Sequence, residues 1–257
     1  MSNSRFGLSN YALFGTVANG TGTNAALYQD ADFPMANAIN GSRFVPWKVP
    51  GTAASSLDID LGSSPNISMV ALLGYRTVGN PNLPPTGLVD VLRGPAGPAV
   101  IPVGTAIIPN TDCGITFTSF TSRYWRLNFF NAARTAGPEQ FTLGGIYIGI
   151  NTDLGLSYSP SEISEIRSRT INRTMSGVPV VTDMGFKRKL INANFNSVTA
   201  ATRTTLQGLV DADRSFVYAT PLDEWHECVL SGGMMKVQHK WGSPHLFDIG
   251  VEMETLP

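Results

Sequence analysis

The groups that could do chemistry in this chain are few. It has three histidines and two cysteines in 257 residues. His226-Glu227-Cys228 could be drawn as a nucleophile beside a base, but successive residues of a strand point to opposite faces. His226 then shares a face with Cys228, no third group orients the pair, and a solvated or core histidine is the better reading. His239 falls on the apolar face of an alternating segment and is expected in a core or an interface. The chain contains no HExxH, no Cys/His zinc spacing, no GxSxG and no phosphate-cradling GxxxxGK[ST]. Asp58 and Asp60 lie on one face of a strand, where two carboxylates could serve as acid and base or bind a cation. A wet sheet face with Asp60 anchoring a turn explains them more simply. No catalytic residue and no metal ligand is assigned, and the protein is expected not to be an enzyme.

The elements around these residues are mostly strands. Leu57, Ile59 and Leu61 alternate with Asp58 and Asp60, the mark of a half-buried strand, here expected at a sheet edge. Gly62–Asn66 is a turn, and Ile67–Leu73 is apolar on both faces, as in a covered central strand. A first strand is expected near Asn10–Val17, preceded by an N-terminal arm. Leu88–Leu92 is a short strand and Val100–Ile108 irregular β. Between Arg123 and Phe130, Trp125, Leu127 and Phe129 alternate with Arg126 and Asn128. Phe141–Ile150 closes the module. Arg76–Gly87, with Pro81, Pro84 and Pro85, is a loop.

Four of these pieces, in order, carry a resemblance. Asn37-Ala38-Ile39-Asn40-Gly41, Trp47, Leu57-Asp58-Ile59-Asp60-Leu61-Gly62 and the apolar run to Leu73-Gly74 resemble the first half of a discoidin domain, also called F5/8 type C or galactose-binding-like. Arg123-Tyr124-Trp125-Arg126-Leu127 and Phe141–Gly149 stand where that family's later strands belong. The resemblance covers roughly residues 8–150 and implies a jelly-roll β-sandwich. It also implies a ligand- or partner-binding end made of loops, here carrying Tyr28, Phe44, Trp47, Arg76 and Asn80. The aromatics could stack on a sugar while Arg76 or Asn80 donates hydrogen bonds. For Trp47, packing at the barrel end is the competing and favoured reading. Calcium in this family often sits near the loop that here is Asn37–Gly41. Asn40 replaces the Asp that members commonly carry and removes a hard anionic ligand, so no cofactor is expected.

Asn151–Ser161 is turn chemistry and divides a first domain (1–150) from a second (162–257), with 151–161 as linker. Glu162–Thr174 is expected extended, with a short helix at Glu162–Arg167 as the alternative. Val178–Val181, Phe186–Phe195 and Phe216–Ala219 are expected strands. Val198, Ala201, Thr205, Leu206, Leu209 and Val210 recur at helical spacing behind an N-cap at Asn196 or Ser197. At the end, Met235–Trp241 and Phe247–Met253 alternate as an antiparallel hairpin around Gly242–Leu246. The expected register sets Trp241 opposite Phe247, Val237 opposite Val251, Lys240 opposite Asp248 and Lys236 opposite Glu252. This order of strand, helix, strand and hairpin resembles the tail-tube and distal-tail domains of tailed bacteriophages, which assemble into rings. The fold class expected is mainly β, a jelly-roll sandwich followed by an α+β domain with one packed helix.

Composition agrees with an assembly subunit. Charged residues are 14%, against roughly 25% in typical soluble domains, which suits a surface covered by neighbours. The net charge of −1 provides no field for nucleic acid or an anionic membrane. No run reaches the ~18 apolar residues of a membrane span, no secretory leader pattern opens the chain, and Cys113 and Cys228 are read as reduced. The expectation is a structural virion protein of a tailed phage, made in the host cytoplasm, forming an oligomeric ring at or near the tail tip. Its partners would be other copies of itself and other virion tail proteins. The alternative is a carbohydrate-binding adhesin or receptor-binding module whose partner is a glycan.

Overall fold

The computed structural model describes residues 3–19, 30–40, 45–49, 55–77, 87–95, 99–108, 111–131, 140–153, 162–173, 179–212, 215–239 and 245–256. In chain order the strands are β1 (Arg5–Gly7), β2 (Thr16–Asn19), β3 (Trp47–Val49), β4 (Ser55–Asp60), β5 (Asn66–Leu73) and β6 (Arg76–Thr77). There follow β7 (Gly87–Gly94), β8 (Ile101–Ile108), β9 (Cys113–Thr121), β10 (Tyr124–Asn131), β11 (Phe141–Leu143), β12 (Gly145–Gly149) and β13 (Asn151–Asp153). The remaining elements are β14 (Glu162–Arg173), β15 (Pro179–Thr199), helix α1 (Ala200–Ala212), β16 (Phe216–Ala219), β17 (Trp225–His239) and β18 (Leu246–Thr255). The fold is mainly β. Two compact units form: Gly7–Thr152 with Asp223–Trp225, and Met1–Phe6 with Asp153–Leu222 and His226–Pro257.

The first unit is a β-sandwich. A five-stranded antiparallel sheet runs β2–β4–β10–β7–β8, and three-stranded sheets run β12–β5–β9 and β3–β11–β6. Alternation explains which faces meet. Leu57 and Ile59 of β4 and Trp125, Leu127 and Phe129 of β10 are fully buried, while Asp58, Asp60, Tyr124 and Arg126 between them keep part of their surface exposed. From Ser68 to Leu73, β5 is buried at every position, as its unbroken apolar run requires. Several expectations are corrected. The β4 strand is interior, between β2 and β10, because Thr16–Asn19 supplies a further strand. Tyr11–Phe14 is a 3-10 helix and not the start of a strand; Asn10 Oδ1 caps Ala12 N at 3.1 Å and accepts Ile148 N at 3.0 Å. Cys113–Thr121, for which no element was expected, is β9, and Ile101–Ile108 is a strand paired to β7 with a register shift between Val91 and Leu92, the irregularity expected of it.

The second unit's sheet has the order β13–β1–β16–β17–β18–β15–β14. Phe6 stands in an aromatic cluster, its ring 4.9 Å from Tyr218, 5.5 Å from Phe216 and 6.0 Å from Phe195. The two strands expected at Val178–Val181 and Phe186–Phe195 are one strand, β15, of 21 residues, and Glu162–Arg173 is a strand paired to it rather than a helix. Of the expected linker, Asn151–Asp153 form β13 and residues 154–161 lie outside the described residues.

Helix α1 begins later than expected. Its cap is Thr199, whose Oγ1 accepts Thr202 N at 3.3 Å. Leu206 is fully buried, but Ala201 and Thr205 are exposed, so the helix buries a narrower stripe than its spacing suggests. Ser197 adopts φ +63°, and its N–H donates to Asp248 Oδ1 at 2.9 Å, where the β15–β18 register shifts. The final hairpin forms with a register two residues away from the expected one. His239 faces Phe247, Val237 faces Ile249, Gln238 faces Asp248 and Lys236 faces Gly250. A two-residue shift leaves every side chain on its face, so alternation cannot exclude it. Gly250 stands opposite Lys236 and beside β15, where a Cβ would approach Asn194 Oδ1 to 3.0 Å. His239 is exposed, its ring 4.8 Å from that of Phe247, so it is not a core histidine.

Candidate functional site

The five-stranded sheet carries the site on its outward face. Registers bring residues far apart in sequence into rows across three strands: Thr16, Asp60 and Tyr124 in one, Ala18, Asp58 and Arg126 in the next. Around these rows is a cleft of about 400 Å³, lined also by Val17, Ile59, Ala99 and Trp125. The volume suits a small ligand, within the roughly 300–1,000 Å³ of ordinary binding pockets.

Both aspartates are held in forks. Arg126 donates from Nε to Asp58 Oδ1 at 2.5 Å and from Nη2 to Asp58 Oδ2 at 2.7 Å. Arg123 donates from Nε to Asp60 Oδ1 at 2.6 Å and from Nη2 to Oδ2 at 2.7 Å. Gly62 N donates to Asp60 Oδ1 at 2.8 Å, the turn-anchoring role expected of Asp60. These hydrogen bonds, Arg123's first, hold the Asp60 carboxyl below the usual carboxylate range against the opposing effect of burial. The Asp58 partner raises Arg126 above its ordinary value. Planar forks of this kind are strong and directional. A carboxylate committed to a guanidinium is a poor general base. The Arg123 guanidinium also stands 5.1 Å from the Tyr124 ring centroid.

Of the five loop-end residues named from sequence, Trp47 and Arg76 are described. Trp47 is fully buried, its ring edge-on to Phe129 at 5.8 Å and to Phe141 at 5.5 Å. It is a packing residue, as the competing reading held. Arg76 is exposed and donates from Nη1 to the Tyr75 carbonyl at 2.7 Å. Tyr28, Phe44 and Asn80 lie outside the described residues. Arg123, Tyr124 and Arg126 were legible only as part of a strand motif. The signal for their role was that Arg126 and Asp58 are each the charged member of an alternating strand; the register that pairs them was not.

Cys113 and Cys228 are buried, and neither is in a disulfide. Burial first, then Asp112 and Asp223, pushes the Cys113 thiol up to about 12, so it is a thiol and not a thiolate nucleophile at neutral pH. Where the resemblance implies a calcium loop, Met35–Ile39 is a 3-10 helix, Gly41 lies outside the described residues, Asn37 Nδ2 donates to Pro46 O at 3.3 Å and Asn40 Nδ2 to Asn37 Oδ1 at 3.4 Å. Among the described residues no group of three or more His, Cys, Asp and Glu is placed to hold a metal ion. No helix among them is long and apolar enough to cross a membrane.

No family model and no curated protein matches the chain. Solved structures similar to it include chitosan-binding module 1 derived from a chitosanase/glucanase of Paenibacillus sp. IK-5, at TM-score 0.41 and 21% identity over 55% of this chain and 98% of that one. A fucose binding module of Streptococcus pneumoniae, SpX-3, gives TM-score 0.40 and 15% identity over 55% and 97%. The CBM32-5 module of CpGH89 from Clostridium perfringens, in complex with GalNAc-β-1,3-galactose, gives 0.41 and 13% over 55% and 99%. None of these three is a tail protein.

Proposed function

We propose that this protein is a non-enzymatic, glycan-binding subunit, adhesin-like, in which the first unit recognises carbohydrate and the second joins copies into an assembly. The observation that carries the reading is the cleft across β2, β4 and β10, where Asp58, Asp60, Tyr124 and Arg126 line one space and each carboxylate is held by an arginine, Asp58 by Arg126 in the lining and Asp60 by Arg123 beside it. Sugar hydroxyls both donate and accept, and they match fixed carboxylate oxygens and guanidinium N–H groups. An aromatic ring can lie against the apolar face of a pyranose. Calorimetric titration against an oligosaccharide panel tests the proposal. Y124A should weaken binding at least about tenfold, or ~1.4 kcal/mol, with an unchanged unfolding midpoint. A wild-type protein that binds no glycan, or a Y124A variant that binds as well, overturns it.

A second reading is a structural protein of a tailed-phage virion that forms a ring at or near the tail tip. Its support is the second unit, where a 21-residue strand leads into one helix, a short strand and a long hairpin. Solution mass separates the two. A stable ring indifferent to glycan favours the structural role, and a protein that shifts on an oligosaccharide favours the first.

A further inference from the structure

We infer that the ligand of the β2–β4–β10 cleft is an uncharged glycan, bound without opening either Asp–Arg pair. This rests on the glycan-binding reading and narrows it to one chemical class. The charges cancel: Asp58 with Arg126, Asp60 with Arg123, each in a two-pronged contact. The other polar or small lining residues, Thr16, Ala18, Ala99 and Tyr124, bring no charge at neutral pH. A carboxylate or sulfate on the ligand would have to compete with Asp58 or Asp60 for a guanidinium already forked, and an ammonium would compete with an arginine for a carboxylate already held. The Arg126 side chain is only 11% exposed, so displacing its partner leaves a poorly solvated charge, and breaking such a pair is strongly unfavourable.

A hydroxyl asks for none of this. Each carboxylate oxygen has two lone-pair directions. Asp60 Oδ1 uses both, for Arg123 Nε and Gly62 N, while Asp60 Oδ2 receives Arg123 Nη2 and keeps one for a ligand O–H. Asp58 presents its oxygens in the adjoining row, opposite Ala18, whose small side chain keeps the floor open. Neighbouring hydroxyls of a neutral sugar can therefore donate into both rows while the forks stay closed.

The test is calorimetric titration of the full chain with neutral galacto-, manno- and N-acetylated chito-oligosaccharides, acidic uronate oligosaccharides and cationic chitosan oligosaccharides, each at ~0.05 and ~0.5 M NaCl. A neutral sugar should bind best, with affinity changing less than about twofold across the salt range, because no counter-charge is screened. Thr16 is exposed at the start of β2, and T16R adds one net positive charge to a cleft whose other charges cancel. Its affinity for the acidic oligosaccharides should rise at least about tenfold, while circular dichroism stays that of the wild type. Wild-type preference for a charged glycan, a tenfold loss of affinity in salt, or a T16R variant with unchanged acidic affinity overturns this inference and leaves glycan binding standing. Failure of every oligosaccharide to bind removes the glycan-binding reading and this inference together.

Discussion

Asp60 is the residue at which turn, sheet and cleft meet. Its carboxyl holds the Gly62 turn and the Arg123 fork at once, and its pKa is lowered by those contacts. A carboxyl depressed on folding contributes stability above its unfolded pKa, and the contribution is lost as pH falls through the folded value. Urea midpoints of wild type and D60N should therefore differ at pH 7 and converge as the pH falls through the lowered folded pKa of Asp60. A gap that is the same at both ends would contradict the role given to the Arg123 contact. Trp47 tests the opposite assignment. Fully buried against Phe129 and Phe141, it should cost about 3–5 kcal/mol of stability when changed to Ala. The milder W47F should leave oligosaccharide affinity within about twofold of wild type, whereas a ring that stacked on sugar would betray itself by a larger loss. The aspartates were visible in sequence as a wet face. That they are forked by Arg123 and Arg126 was not, because ion-pair partners 63 and 68 residues away depend on register.

At the scale of elements, the corner between β15 and α1 stores strain that can be measured. Ser197 holds φ +63° with its N–H on Asp248. Glycine adopts that region without the Cβ penalty, so S197G should stabilise the protein by up to about 1 kcal/mol. D248A should destabilise it by about 1–2 kcal/mol, since a backbone N–H loses a charged acceptor. Urea unfolding of the two variants checks both, and shifts of the same sign would overturn the account. The same corner explains why the cap was misplaced by sequence. Asn196, Ser197 and Thr199 are all capping types, and only the Asp248 contact decides that Ser197 turns the strand while Thr199 starts the helix. The final hairpin has the same lesson: Phe247, Ile249, Val251 and Met253 face the core as their alternation requires, yet Lys236 stands opposite Gly250 in a register that charge matching did not favour.

At the scale of the whole chain, its start belongs with its end. Phe6 packs with Phe195, Phe216 and Tyr218, and β1 pairs beside β16 in the second unit's sheet. F6A should cost about 3–5 kcal/mol, read by hydrogen exchange as faster opening of β16 amides while those of β4 and β10 keep their protection. Uniform loss across both units would contradict the division. By itself the sequence determined what a short stretch of chain can know: that Leu57–Leu61, Arg123–Phe130 and Phe247–Met253 are strands, and which of their residues face a core. Side-chain alternation has a period of two and needs no distant partner. Which strand lies beside which, how far each slides, and hence that Thr16, Asp58, Asp60, Tyr124 and Arg126 share one cleft, were decided by the tertiary structure. Those choices are made by packing between segments far apart in the chain, and shifts of two residues are invisible to local pattern.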